Sequence, residues 1–216
     1  MKKLLLILLC LPFIFTSCKK EEEELSNNNN NSNTQTYIPD DNFEQRLIDL
    51  GFDNTLDNYV NTSSIDTVTY LILTGKSISD LTGLEDFINL YYLDCDYNNL
   101  TNLDVSANTA LFNLDCSDNN IINVNINGLT VLNDFYCSRN NIEILDVSSA
   151  TSLRSFDCED NQLISLDIRN GNNINFYNFY TIGNPNLTCI NVDDDSYSSG
   201  NWTNIDPQHY FSEDCP

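Results

Sequence analysis

Four cysteines, Cys95, Cys116, Cys137 and Cys158, recur every 21 residues, and each is followed three positions later by an asparagine: Asn98, Asn119, Asn140 and Asn161. Thiols at a fixed interval suggest a metal, yet the interval argues against one. If successive units stack as parallel strands about 4.8 Å apart, the outer two sulfurs are separated by about 14 Å, whereas zinc holds each thiolate at about 2.3 Å. Same-facing side chains on parallel strands also fit the disulfide dihedral poorly. The four therefore read as buried free thiols acting as small apolar fillers. Asp94-x-Asp96-x-Asn98 imitates the start of an EF-hand loop, but Asn99 and Val105 stand where that loop needs glycine and glutamate. Calcium is left only the bridging of adjacent aspartates. His209 is the single histidine, so triads and histidine metal centres have almost nothing to be built from. A carboxylate pair such as Asp94 and Asp115 would suit a glycoside hydrolase by separation, but a regular sheet lacks the dry pocket that sets two such pKa values apart. Neither catalytic residues, a metal nor a cofactor is expected.

These residues are positioned by a repeat. In register with the cysteines run Leu93, Leu114, Phe135 and Phe156, and then Leu100, Ile121, Ile142 and Leu163. A second set follows in each unit: Leu103, Val124, Leu145, Leu166, with Val105, Ile126, Val147, Ile168. Each unit thus holds two short alternating, strand-like runs. One unit cannot bury its apolar side alone, so units must stack into a solenoid with a continuous core. Where the chain leaves a strand its backbone groups lose ladder partners, and an inward asparagine amide can replace both donor and acceptor.

The pattern L-x-x-L-x-C-x-x-N-x-L resembles the leucine-rich repeat over residues 70–192, with cysteine where that family commonly has leucine. An earlier unit, Leu71, Leu73, Ile78, Leu81, Leu84 and Phe87, lies 22 residues before the next and looks like a turn of the internalins, although Lys76 stands in its asparagine position. A final unit over 184–192 is displaced by three residues, and the regular ladder is expected to end there. The resemblance implies a right-handed superhelix, mainly β, with a parallel concave sheet, and a role in protein recognition.

Residues flanking the inward positions should face outward in rows. These are Tyr92, Asn113, Asp134, Ser155; Asp94, Asp115, Tyr136, Asp157; and Asp96, Ser117, Ser138, Glu159, with Tyr97, Asp118, Arg139 and Asp160 alongside. The candidate partner-binding set is Tyr92, Asp94, Asp96, Tyr97, Asp115, Asp134, Tyr136, Asp157 and Glu159: acids with tyrosine anchors. Asp and Glu number 32 against 9 Lys and Arg, a net charge of −23, which excludes nucleic acid and favours a basic protein segment. A glycan, stacked on Tyr92, Tyr97 and Tyr136, is the alternative ligand.

Exposed solenoid ends need caps. Residues 37–69 supply one, with Asp41 and Glu44 as a capping box, Phe43, Leu47 and Leu50 on one helical face, and Gly51 as the stop. Residues 193–216 supply the other, where Cys189 and Cys215 are expected to pair and Trp202 to cover the last turn. Ahead of these, Lys2, Lys3 and an apolar run from Leu4 to Phe15 form a secretory signal over residues 1–17. Phe15-Thr-Ser-Cys18 resembles the lipobox of bacterial lipoproteins, which makes Cys18 the lipidated first residue of the mature chain. Residues 18–36, acidic and then asparagine-rich, read as a disordered tether. Their Lys-then-Glu start is similar to the export signal of surface lipoproteins of Gram-negative bacteria. The implied location is the outer membrane surface, with membrane contact through lipid alone.

Overall fold

The structure, a computed structural model, describes residues 34–216. The signal segment, Cys18 and most of the tether lie outside the described residues. No helix among the described residues is long and apolar enough to cross a membrane. The first described strand overlaps the segment assigned to the tether: β1 (Gln35–Tyr37) pairs antiparallel with β2 (Tyr59–Asn61).

Between them lies α1 (Asp41–Asp49). Its N-cap is Asp40, whose carboxylate accepts from the Asn42 and Phe43 amides at 3.0 Å. The capping box is thus one residue earlier than expected and lacks its reciprocal arm. Glu44 points inward instead and accepts from the Asp57 and Tyr59 amides at 2.9 and 3.0 Å. Phe43 and Leu47 are fully buried, and Phe43 packs on Phe87 of the first repeat at 6.3 Å between ring centroids. Leu50 departs from that face. It is the C-cap, over a third exposed, because Gly51 at φ 82° turns the chain away. The other Asp40 oxygen accepts from the Ser79 amide and hydroxyl and from the Asp80 amide, so one carboxylate caps both the helix and the first turn. At Gly83, φ 99°, a β-carbon would lie 2.7 Å from the Tyr37 carbonyl oxygen, so only glycine lets the cap approach this closely.

The repeats build two parallel ladders of three-residue strands. In the first, β3 (Tyr70–Ile72), β4 (Tyr92–Asp94), β6 (Asn113–Asp115), β8 (Asp134–Tyr136), β10 (Ser155–Asp157) and β12 (Asn178–Tyr180) form one six-stranded sheet. Central residues stack in register, Leu71, Leu93, Leu114, Phe135, Phe156 and Phe179, all buried. The second run gives β5 (Asn102–Asp104) paired with β7 (Asn123–Asn125). Separately, β9 (Ile144–Asp146), β11 (Ser165–Asp167), β13 (Cys189–Asn191) and β14 (Tyr210–Ser212) form a four-stranded sheet. The break between β7 and β9 coincides with Val124, only half-buried while its equivalents Leu103, Leu145 and Leu166 are buried.

The asparagines bind the turns together. Asn119 Nδ2 donates to the carbonyls of Cys95 in the preceding turn and of Cys116 and Ser117 in its own, while its Oδ1 accepts from the Leu100 amide at 3.0 Å. Asn140 and Asn161 repeat this pattern, and Asn98 reaches back to Leu73 and to the amides of Lys76 and Ile78. The first unit therefore joins the stack without an asparagine of its own, because the amide is supplied by the following turn. Cys95, Cys116, Cys137 and Cys158 are free, fully buried and in one column. Burial holds their thiols well above the ordinary cysteine range, the state of an unreactive filler.

The last unit joins the ladder despite its displaced spacing. The unit containing β12 is lengthened by two residues ahead of Phe179, and Thr181, fully buried, takes the cysteine position. Asn184 then donates to the Cys158 and Thr181 carbonyls and accepts from the Leu163 amide. The terminal segment adds one more layer. Asp206 accepts from the Gly183 and Asn184 amides, and His209 Nε2 lies 3.2 Å from the Asn184 carbonyl oxygen. Nδ1 lies 3.3 Å from the Asp206 amide nitrogen, so the buried ring of the lone histidine spans the last turn. Trp202 stacks on Phe179 at 4.2 Å, and Cys189 and Cys215 form a disulfide with Cα atoms 5.8 Å apart.

Candidate functional site: the outward face of the six-stranded sheet

In a three-residue strand the middle side chain is inward and its two neighbours outward. The register therefore aligns Tyr92, Asn113, Asp134, Ser155 and Asn178 in one row, and Asp94, Asp115, Tyr136, Asp157 and Tyr180 in the next. Tyr92, Asp94, Asp115, Asp134, Tyr136 and Asp157 are half-buried, as are Asp96 and Glu159 just beyond the strands, and Tyr97 is 60 % exposed. Three residues expected to face outward do not reach solvent: Ser117, Ser138 and Ser155 are buried. Ser155 lies under its neighbours, bonded to the Tyr136 hydroxyl at 3.0 Å and to Asn178 Nδ2 at 3.2 Å.

The aspartate row has a local structural cause. Asp94, Asp115 and Asp157 each accept, through Oδ1, the amide two residues ahead at 2.9–3.2 Å, closing an Asx turn at the strand end. Asp104, Asp146 and Asp167 do the same in the second ladder. Tyr97, Asp118, Arg139 and Asp160 follow with φ of 50–53°, a left-handed turn at non-glycine residues. Their amides donate to the next turn, to Ser117, Ser138, Glu159 and Ile182 respectively. Part of the acidity is therefore turn chemistry, and the electrostatic character follows from it.

That character is a net negative charge, offset in part at Asp157 and Glu159 by Arg139. Burial and the adjacent Asp94 and Asp115 carboxylates push Asp96 up to about 6. Burial raises Asp115, Asp157 and Glu159 above their usual ranges as well. Arg139 is committed to Asp118, with Nε to Oδ1 at 2.6 Å and Nη2 to Oδ2 at 2.7 Å. Asp134 accepts from the Tyr177 hydroxyl at 2.6 Å, a bond that holds that phenol's proton and raises its pKa to about 12.

The face is longer than the sequence pattern indicates. At one end Tyr70 stacks on Tyr92 at 5.7 Å and Tyr91 on Phe112 at 5.0 Å, with Tyr70 62 % exposed. At the other end Tyr177, just ahead of β12, and Tyr180 on it extend the face. Tyr70 and Tyr91 were legible as neighbours of inward leucines. Tyr177 and Tyr180 were hidden by the lengthened unit.

No protein-family model matches the chain. Residues of the chain are 37 % identical over 73 positions to Internalin J of Listeria monocytogenes, a stretch that is 34 % of this chain and 8 % of that protein. A solved structure of the functional domain of InlJ from Listeria monocytogenes, described as including a cysteine ladder, superposes with a TM-score of 0.61 at 28 % identity. It covers 74 % of this chain and 38 % of that one. The solved internalin InlF of the same species gives 17 % identity and a TM-score of 0.46 over 81 % of this chain and 56 % of that one. The chain spans well under half the length of Internalin J and of its solved domain. The repeats of this chain are internalin-like leucine-rich repeats wound into a β-solenoid.

Proposed function

We propose that the chain is a lipid-anchored surface protein that recognises a basic segment of a protein partner through the outward face of its six-stranded sheet. The observation that carries this reading is the set of Asp94, Asp96, Asp115, Asp157 and Glu159 on one face, with Arg139 already spent on Asp118. A cation brought to this face meets carboxylates destabilised by burial and by one another, and its arrival relieves them. Tyr92 and Tyr136 supply contact area with a polar tip between the acids, and Tyr97 projects beside them. A binding role rather than a catalytic one is supported by the likeness to internalin repeats and by the open form of the sheet. Anchoring through Cys18 at the outer membrane rests on the residues of the export segment alone.

The test is a variant carrying Tyr92→Ala, Asp94→Asn, Asp115→Asn and Tyr136→Ala together, assayed against a partner captured by the purified protein. Loss of that partner with thermal unfolding still cooperative is the expected result. Retained binding would show that recognition lies elsewhere. Protease treatment of intact cells, with release of the repeat domain expected, examines surface display separately.

A further inference from the structure

We propose a second ligand site, for one neutral sugar ring, in the cleft between β12 and α2 (Asp195–Asn201) at the C-terminal end of the solenoid. The cleft holds about 190 Å³ and is lined by ten residues, among them Tyr177, Asn178, Tyr180, Tyr197, Asn201 and Trp202. None of the ten is charged, in a chain with 32 acids and 9 bases. A charge-free lining beside an acidic face is unsuited to the basic segment proposed for that face, and equally to an anion. It suits a ligand that is neutral and hydroxyl-rich. Aromatic rings offer apolar faces to the C–H side of a sugar, and asparagine amides offer both a donor and an acceptor to its hydroxyls. The volume is below the roughly 300–1,000 Å³ of a drug-sized site, so a single ring fits and the rest of a glycan would leave through the open side.

The polar groups are already held in place. The Tyr180 hydroxyl donates to Asn178 Oδ1 at 3.3 Å, the Asn201 amide donates to the Tyr197 carbonyl at 2.8 Å, and the Tyr197 hydroxyl donates to the Ile174 carbonyl at 3.0 Å. That leaves the Asn201 side-chain oxygen and the accepting side of the Tyr180 hydroxyl for a ligand. Trp202 adds an independent observation. It is only 6 % exposed, and its Nε1–H is shut from solvent without an acceptor in the protein. Trp202 lines the cleft, and a ligand oxygen reached by a shift of the ring would give this donor its acceptor.

Trp202 is the chain's one tryptophan, so its emission reports on this cleft alone. The purified protein is titrated with glucose, galactose, mannose and N-acetylglucosamine, and with N-acetylneuraminic acid as the charged comparison. A saturable change with at least one neutral sugar and none with the acidic one is expected. Asn201→Ala and Tyr177→Ala should each weaken it about tenfold, the loss of one or two hydrogen bonds or of a stacking face. The variant that removes Tyr92, Asp94, Asp115 and Tyr136 should leave it intact, which separates this site from the protein-binding reading. Absence of a saturable response to all four neutral sugars overturns the proposal. So does a response to the acidic sugar equal to theirs, or one that survives undiminished in both single variants while they unfold at the wild-type temperature.

Discussion

The two sides of the same three-residue strands obey different rules. Inward, the four central turns of the first ladder repeat one another: Leu93, Leu114, Phe135, Phe156, then cysteine, then asparagine, each bonded or packed to the neighbouring turn. Outward, the row that begins at Asp94 continues as Asp115, Tyr136, Asp157 and Tyr180, with no repetition required of it. Stacking imposes identity on the inner positions, because a departure leaves a void or an orphaned amide that both neighbouring turns feel. The outer positions need only tolerate solvent and end the strand. Stability is therefore written on one side of the sheet, and the capacity for recognition on the other.

That contrast can be broken by paired substitutions. The largest effect is expected for Phe135→Ala, about 3–5 kcal/mol lost in denaturant unfolding, against under about 1 kcal/mol for its strand neighbour Asp134→Ala. Equal costs would erase the distinction between the sides. Next is Asn119→Ala or Asn140→Ala, at about 1–3 kcal/mol each. Either removes an amide that serves two turns at once, and an unshifted denaturant midpoint would deny the asparagines that role.

The smallest effect has the opposite sign. Asp96 has a folded pKa near 6, above its unfolded value near 4, so the native state binds the extra proton between those values. This group's contribution to stability is greatest below pH 4 and declines as pH rises through 6. Asp96→Asn should then raise the melting temperature at pH 7.5 and flatten the pH dependence between 4 and 6, measured by calorimetry. A lower melting temperature at pH 7.5 would show Asp96 to be a structural member of the turn. By the same linkage, a cationic partner should bind more weakly at pH 5 than at pH 7.5.

The period, the core columns and the disulfide were legible in the chain because each follows from identity at fixed spacing or from the pairing of the two cysteines left over. The N-cap was placed one residue late, since Asp40 and Asp41 are equally good capping types and only the backbone angle at Asp40 decides between them. Glu44 was assigned to the cap when its carboxylate is required inside, under the Asp57 and Tyr59 amides. The final unit is legible from Asn184 onward, but its strand β12 is not, because two added residues and Thr181 in place of cysteine removed both the spacing and the marker, while Asn184 kept the hydrogen-bonding role. The residue types at Tyr97 and Arg139 give no sign of a left-handed backbone, and aspartate at Asp118 and Asp160 tolerates it without marking it as glycine would.

By itself the sequence determined that the chain winds into turns and which side chains lie within them, because apolar periodicity and repeated identity act locally and once per turn. Tertiary structure alone decided how deeply the outward residues sit and what they touch. It buried Ser155 under Tyr136, engaged Arg139 with Asp118, and set a charge-free cleft beside an acidic sheet. Those outcomes depend on which neighbour stands one turn away and at what distance, and electrostatics and hydrogen bonding change steeply with that distance.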